Sequence, residues 1–509
     1  MTTTPTISST NPATLEKNGE VEATPLELMD RIFARAREAQ AAWKKVDACD
    51  RARIVVSVNR YLVDHMDEIS LIICREVGKP PLEAFITEVY TSIDATFYYY
   101  TIARDVLDRR ASIDLRFYNS MNKNSHVIQK PAGVVGVIGP FNYPLLLPFH
   151  QIVQSLMAGN AVVFKPSSDT VLVGKVIQEA FNSITRLPAG LFTTVFGNGG
   201  TIGNAIVDRA DRVMFTGSTE TGKAIMRRAA NRLTPVCLEL GGKEAMVIFP
   251  DANLDRDLLA ARWGCFLNSG QVCSSVKRLY LHESIKEKFL SRLVEMTRQL
   301  VQSYPEEPNV DIGAMVNEVQ MNKVLDAIAR AKSEGARVLC GGRRNPALKG
   351  YFIEPTILDG CTNDMRCVQE EIFGPVLTVI PFADEAGVIR MVNDNPYGLA
   401  SSVWTSDIDR GVRVATQIEA GNVMVNEVVY TVALAATPWG GAKVSGIGRS
   451  HGDHGFLEAS YPMHVNVDTS TEPDPWWTPY DRRFAEAMEN FRLVCSSLVV
   501  RDEKEGCDE

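Results

Sequence analysis

The chain has 509 residues, a formal net charge of −9, 45% apolar and 23% charged residues, which is the balance of a globular protein large enough for more than one core. The acidic excess, without any basic cluster, excludes a nucleic-acid surface; the longest stretch free of Asp, Glu, Lys and Arg is residues 131–164, which Pro140, Pro144 and Pro148 break too often for a membrane span. Ten cysteines without a C-x-x-C or a regular spacing give neither a zinc site nor a disulfide framework, and the Thr/Ser-rich start carries no apolar signal core, so a reducing, cytoplasmic setting is expected.

From Pro25 to Arg75 the spacing predicts helices, with Leu28, Ile32, Ala36 and Ala39 on one stripe and Ile54, Val58, Leu62 and Met66 on another. Gly78 and Pro80 break the pattern, and a further long helical segment runs from Leu82 to about Leu107, where Tyr98, Tyr99 and Tyr100 read as packing residues. Between Ser112 and Pro131 the residues alternate around a polar turn at Asn122-Lys123-Asn124. This predicts a hairpin arm with little core of its own, stable only when docked on another surface such as a second subunit.

After Gly133 short β-branched runs alternate with helical ones: Val134 to Ile138, Ala161 to Phe164, Thr193 to Phe196 and Arg212 to Phe215. That is a βαβ series, hence an α/β fold with a doubly wound parallel sheet whose ligands sit at the carboxyl ends of the strands. The strand Arg212 to Phe215 enters Thr216-Gly217-Ser218-Thr219-Glu220-Thr221-Gly222-Lys223, where glycines at a strand-to-helix turn would let backbone amides approach a phosphate. It is neither G-x-G-x-x-G nor a Walker loop, since Ala224 follows Lys223. Glu239 is a lone carboxylate in the apolar run Pro235 to Leu240, so its pKa should be raised by desolvation towards that of a general base; a salt-bridged structural glutamate is the plainer reading. A second α/β region runs from Ala245 to about Asn426. It contains Cys273 in the small polar segment Leu267-Asn268-Ser269-Gly270-Gln271-Val272-Cys273-Ser274-Ser275, as an accessible nucleophile would be.

Taken jointly, Gly139-Pro140-Phe141-Asn142, Phe164-Lys165-Pro166-Ser167-Ser168, Leu238-Glu239-Leu240-Gly241-Gly242-Lys243, Gly270-Gln271-Val272-Cys273 and Glu370-Glu371-Ile372-Phe373-Gly374-Pro375 resemble the aldehyde dehydrogenase superfamily in order and spacing, from about Asn11 to Val467. The resemblance implies a cofactor-binding domain at 1–111 and 132–241, a second α/β catalytic domain at 242–445, a small β oligomerisation arm at 112–131 and 446–468, and a C-terminal tail at 469–509. It implies Cys273 as nucleophile, Glu239 as general base, and Asn142 as the amide that joins the Cys273 backbone N–H around the oxyanion. It further implies Lys165 at the adenine-side ribose, Gly217, Ser218 and Gly222 at the pyrophosphate, and Glu371 with Phe373 at the nicotinamide ribose. Ser168 stands where NAD-specific relatives often carry glutamate, so NADP is expected to be accepted as well as NAD.

Tyr143, His150, Leu267, Val272, Ser274 and Trp439 would flank the substrate tunnel. They make a mainly apolar wall without Arg or Lys, which points to a medium- or long-chain aliphatic or an aromatic aldehyde rather than a semialdehyde. A CoA-acylating relative commonly lacks the base that Glu239 supplies, and a non-catalytic relative would have lost Cys273 or Glu239. No metal is expected; His451 and His454 read as part of a Gly-rich turn. The partners expected are the aldehyde and a second or further copy, as a homodimer or homotetramer. In the tail, Phe484, Met488, Phe491, Cys495 and Leu498 recur on one helical face, so it is expected to guard the tunnel, rest peripherally on a membrane, or pack on a subunit.

Overall fold

A computed structural model describes residues 5–108, 112–115, 122–474, 476–480 and 482–498. The chain divides into two compact units, Met1–Leu107 with Lys130–Tyr461, and Asp108–Gln129 with Pro462–Glu509.

The first unit holds two twisted sheets. The six-stranded sheet runs in the spatial order Gly446–Ile447, Val236–Glu239, Arg212–Thr216, Val134–Ile138, Ala161–Lys165, Phe192–Thr194, all parallel except the first strand. Strand order reverses between Val134–Ile138 and Arg212–Thr216, and at such a point the loops leaving the carboxyl ends part to form a crevice. Asn142, Lys165, Gly217 and Glu239 lie at or just beyond those ends. Helices Met29–Trp43, Leu146–Met157 and Val171–Asn182 cover the sheet. The buried face of the first is Met29, Phe33, Ala36, Gln40 and Trp43, so of the expected stripe Ala36 is buried, Ile32 and Ala39 are half-buried and Leu28 is exposed; in the second stripe Met66 is exposed.

The seven-stranded sheet has the order Arg337–Cys340, Thr356–Asp359, Val376–Phe382, Val276–His282, Glu244–Ile248, Ala400–Trp404, Asn422–Val425, parallel but for its first strand. Its strands are apolar on both sides. Met246, Ile248, Leu279 and Leu281 enter one core with helices Leu254–Phe266 and Glu283–Arg298, while Ala245, Val247 and Tyr280 enter another with Glu318–Ser333. Leu279, Tyr280 and Leu281 are fully buried, and each of the two leucines contributes about 1.5–3 kcal/mol.

A three-stranded sheet is built from Ser112–Ile113, Lys123–Pro131 and Ser460–Asp468. Lys123 and Asn124 are already in its middle strand, so of the turn expected at 122–124 only Asn122, at φ 60°, lies outside the strand. Residues 446–459 differ from expectation: Gly446–Ile447 closes the edge of the six-stranded sheet and Gly452–Glu458 is a helix packed on Thr91–Leu107, both in the first unit. In the second unit the tail forms helix Arg482–Ser497, with Met488, Leu493 and Leu498 exposed; the side chain of Phe484 lies outside the described residues. A hairpin at Thr6–Thr10 and Lys17–Glu22 also forms where no element was expected. No helix among the described residues is long and apolar enough to cross a membrane.

Candidate active site

The chain leaves the six-stranded sheet at Glu239 and enters the seven-stranded sheet at Glu244, crossing in four residues. Parallel pairing sets Glu244 opposite Val276, so Cys273, three residues earlier, comes to the mouth of that crossing. The approach is so close that a Cβ on Gly242 would lie 2.4 Å from the Cys273 carbonyl oxygen.

The loop that carries the cysteine is strained. Asn268, Ser269 and Gly270 take φ of 51°, 53° and 71° in succession, and a non-glycine residue in this region costs about 1–3 kcal/mol. Buried hydrogen bonds hold it there. Asn268 Nδ2 donates to the Asn142 carbonyl at 3.0 Å, Ser269 Oγ to the Gly313 carbonyl at 3.0 Å, and Gln271 Oε1 accepts from Val316 N at 2.9 Å. Lys277 Nζ donates to the carbonyls of Gly270 and Gly374, each at 2.7 Å, tying the cysteine loop to the Glu371–Phe373 loop.

Asn142 is brought to the same place. Its Nδ2 donates to the Gln271 carbonyl at 3.0 Å, two residues before Cys273. Its own backbone is pinned by Lys79, whose Nζ donates at 2.8 Å both to the Asn142 carbonyl and to Glu88, in an ion pair with both side chains fully buried. Glu88 Oε2 in turn accepts from Leu145 N at 2.8 Å, and Lys79 lies 3.8 Å from the Tyr143 ring centre. An ion pair buried this deeply is held by its hydrogen bonds as much as by charge.

Burial governs the electrostatics. It pushes the Glu239 carboxyl up to about 8, against the pull of the Ser450 hydroxyl and of Arg449. Oε1 of Glu239 accepts from Ser450 Oγ at 3.2 Å, and Oε2 is buried without a partner among the described residues. The Cys273 thiol is raised by burial first and then by Glu244, Glu239 and Glu371, so the resting sulfur carries its proton. A thiol, a carboxyl whose proton affinity lies near the working range, and amide donors at the cysteine loop are the parts that acyl chemistry needs.

On the other side of the crossing, Lys165 is buried and pushed down to about 8 by that burial, with Asp169 opposing. Its Nζ donates to the Pro166 carbonyl at 2.8 Å, and no other partner is recorded for it among the described residues. Ser168 is exposed, and Asp169 is engaged by Asn317 Nδ2 at 3.1 Å and by Ser167. Ser218 caps the helix Thr219–Ala229. A Cβ on Gly217 or Gly222 would lie 2.5 Å from the tip of the Phe215 ring or of the Leu240 side chain, so either position could be filled only if that side chain turned aside. Glu371 Oε1 accepts from Gly242 N at 3.1 Å, and Phe373 meets Phe141 edge to face at 5.7 Å.

A cavity of about 530 Å³ reaches Cys273. Tyr143, Leu267, Val272 and Ser274 line it as expected from the sequence; His150 and Trp439 do not. His150 is drawn behind the wall by a 3.0 Å bond between its Nδ1 and the Tyr99 hydroxyl, and Trp439 is buried in a small core with Leu399, Ala400 and Met424. The remaining wall comes from places sequence reasoning passed over: Tyr90, Asp94, Phe97 and Tyr98 on or beside helix Thr91–Leu107, Trp263, and residues 429–437. The helical spacing of Tyr90, Asp94, Phe97 and Tyr98 was the available signal. For Lys79, Glu88, Glu244 and Lys277, which hold the loops, no local signal existed.

The aldehyde dehydrogenase family matches residues 1–465. A 4,4'-diapolycopene aldehyde oxidase of Methylomonas sp is 35% identical over 98% of this chain and 92% of its own length. A chloroplastic betaine aldehyde dehydrogenase of Amaranthus hypochondriacus is 37% identical over 92% and 93%. Among solved structures, the NAD+ complex of an aldehyde dehydrogenase from Bacillus cereus superposes with a TM-score of 0.87 at 33% identity, over 92% of this chain and 94% of that one. With the family matched over nine-tenths of its length, the chain belongs to the aldehyde dehydrogenase family and is an oxidoreductase that acts on aldehydes.

Proposed function

We propose that the protein oxidises an apolar aldehyde to its carboxylic acid with NAD or NADP, through a Cys273 thiohemiacetal and thioester. The observation that carries the substrate class is the cavity wall. It is mainly aliphatic and aromatic, contains no Arg or Lys among its lining residues, and holds one charged group, Asp94, which would repel a substrate carboxylate. The name of the diapolycopene aldehyde oxidase relative is in keeping with an apolar chain.

The residues fit a nicotinamide cofactor: Lys165 has unused donor capacity, Ser218 heads a helix N-terminus, and Glu371 and Phe373 stand beside the crossing. When bound, the cofactor supplies the hydride acceptor. Cys273 gives up its proton to solvent through the cavity and its sulfur bonds the aldehyde carbon, while Asn142 Nδ2 and the Cys273 backbone N–H hold the oxyanion. As the carbonyl re-forms, the aldehydic hydrogen departs with its electron pair as hydride and a thioester remains on Cys273. One such donor is worth about 3–4 kcal/mol of barrier. Glu239 then takes a proton from water on its open Oε2, the hydroxide adds to the thioester carbon, and the C–S bond breaks with the sulfur leaving as thiolate. Ser168 and Lys165 favour tolerance of a 2′-phosphate, with Asp169 held aside by Asn317 and Ser167. The three-stranded sheet is the element assigned to self-association.

A chain-length series of aldehydes, run with both cofactors, tests this reading. kcat/KM should climb with chain length. A preference for betaine aldehyde or for a semialdehyde over every apolar aldehyde would overturn it.

A further inference from the structure

Behind Glu239 lies a set of buried polar groups that the roles above leave unused. The Ser450 hydroxyl that donates to Glu239 Oε1 is also 3.0 Å from His451 Nδ1. The His451 ring meets His150 edge-on at 4.3 Å, and His150 is bonded to Tyr99. Ser450, His451, His150 and Tyr99 are all buried. His451 takes φ 65°, so the backbone adopts a conformation that side-chain-bearing residues avoid in order to keep this ring inside.

A serine hydroxyl has one proton to give, and here Glu239 Oε1 at 3.2 Å and His451 Nδ1 at 3.0 Å compete for it, with the Trp439 carbonyl a longer third acceptor at 3.4 Å. Burial keeps both histidines neutral, with His451 pushed down to about 3 and His150 also lowered by burial and by His451. Nε2 of His451 has no hydrogen-bond partner among the described residues, while Nδ1 approaches the Ser450 hydroxyl at 3.0 Å, and with the proton on Nε2 Nδ1 is the acceptor.

We propose that Ser450 is a two-position donor that follows the charge of Glu239, turning to His451 Nδ1 while it accepts from the protonated carboxyl and to Glu239 Oε1 once the carboxyl is charged. His451 is the positioning residue that supplies the alternative acceptor. The inference rests on Glu239 being the base that deprotonates water. Such a base changes charge twice in each turnover, and one hydroxyl with two settings keeps Oε1 partnered in both states while Oε2 stays open to water. The other groups acting on Glu239 are Arg449, which lowers its proton affinity, Glu458, which raises it and is paired with Arg212 at 2.7 Å, and the thiols of Cys237 and Cys273. None of these has a second setting on the Ser450 side.

The test is the pH dependence of turnover after the first burst of reduced cofactor, measured on the full chain with one good aldehyde. Ser450→Ala removes the donor to the charged form and should move the acid limb up by about one pH unit. His451→Phe removes the acceptor that serves the protonated form and should move the limb down. His451→Asn, whose amide oxygen can accept, and Ser450→Thr, which keeps the hydroxyl, should each restore the limb. Opposite shifts cannot come from general loosening of the fold. Shifts in the same direction, or an unmoved limb in both variants, would overturn the proposal. If His451→Phe does not fold, the pair Ser450→Ala and Ser450→Thr decides alone: an upward shift that threonine fails to reverse, or no shift, sinks it. Glu239→Gln is run alongside, and undiminished turnover there would remove the base itself, a failure distinct from that of the positioning pair.

Discussion

Gly242→Ala tests the close crossing between the sheets. A Cβ at this position would lie 2.3 Å from Glu244 Oε1 and 2.4 Å from the Cys273 carbonyl, distances that real Cβ atoms do not show below 3.0 Å. The Glu244 side chain can turn, but the carbonyl is backbone and must retreat by at least 0.6 Å, the gap between 2.4 and 3.0 Å. The loop has little freedom to do so, being held by Asn268, Ser269, Gln271 and Lys277. Overpacking of this kind costs about 1–3 kcal/mol of stability. A displacement approaching 1 Å at the reacting atom costs on the order of a hundredfold in rate. The expected variant is folded, melts a few degrees lower, and has kcat/KM reduced between about tenfold and a hundredfold. Steady-state kinetics beside thermal melting and alkylation of the Cys273 thiol measure all three. Full activity with an unchanged melting temperature would refute the argument that this contact sets the position of the sulfur.

Because burial raises Glu239 to about 8, the carboxyl is mainly protonated below that pH and cannot take a proton from water, so deacylation should rise with pH and level off above about 8; a flat profile from pH 6 to 9 would count against it. Ser168→Glu should cut kcat/KM with NADP by about tenfold or more through repulsion of the 2′-phosphate while sparing NAD, read from initial rates with each cofactor. Lys79→Met leaves Glu88 buried without its ion-pair partner and should cost about 3–5 kcal/mol in denaturant unfolding, with retained activity expected to be low because the Asn142 carbonyl loses its anchor. Truncation after Thr471 should raise KM for long-chain aldehydes more than for short ones and abolish any flotation with liposomes; unchanged kinetics and no flotation would leave the tail a packing role alone.

The parallel strands of the six-stranded sheet were legible because most are short apolar runs alternating with helical ones, and Asn142, Lys165 and Glu239 were legible because each sits near a glycine or proline signature at a strand end. The hairpin at Thr6–Thr10 was not, since Thr and Ser there read equally as a polar terminus. Gly446–Ile447 is too short for periodicity to register, and only its pairing with Leu238 and Glu239 makes it a strand. Distances along the chain explain the rest. Lys79 meets Asn142 across 63 residues and Lys277 meets Gly374 across 97, so no window of sequence contains either contact. His150 and Trp439 fall at tunnel positions by resemblance, yet the depth of a side chain is decided by its neighbours: Tyr99 holds one ring and the core around Met424 encloses the other.

Glu239 ends one sheet and Cys273 precedes a strand of the other, with four residues between the two layers. On the roles proposed for Glu239 and Cys273, neither layer alone contains the working pair, so during folding the thiol would become a catalyst only when the two cores have docked. Until then its reactivity is that of any cysteine in an unfinished chain, and a half-folded molecule that has already formed the crevice of the six-stranded sheet would hold nucleotide while turning over nothing. Recovery of nucleotide affinity before recovery of activity, during refolding from denaturant, is the kinetic signature that this division of labour imposes.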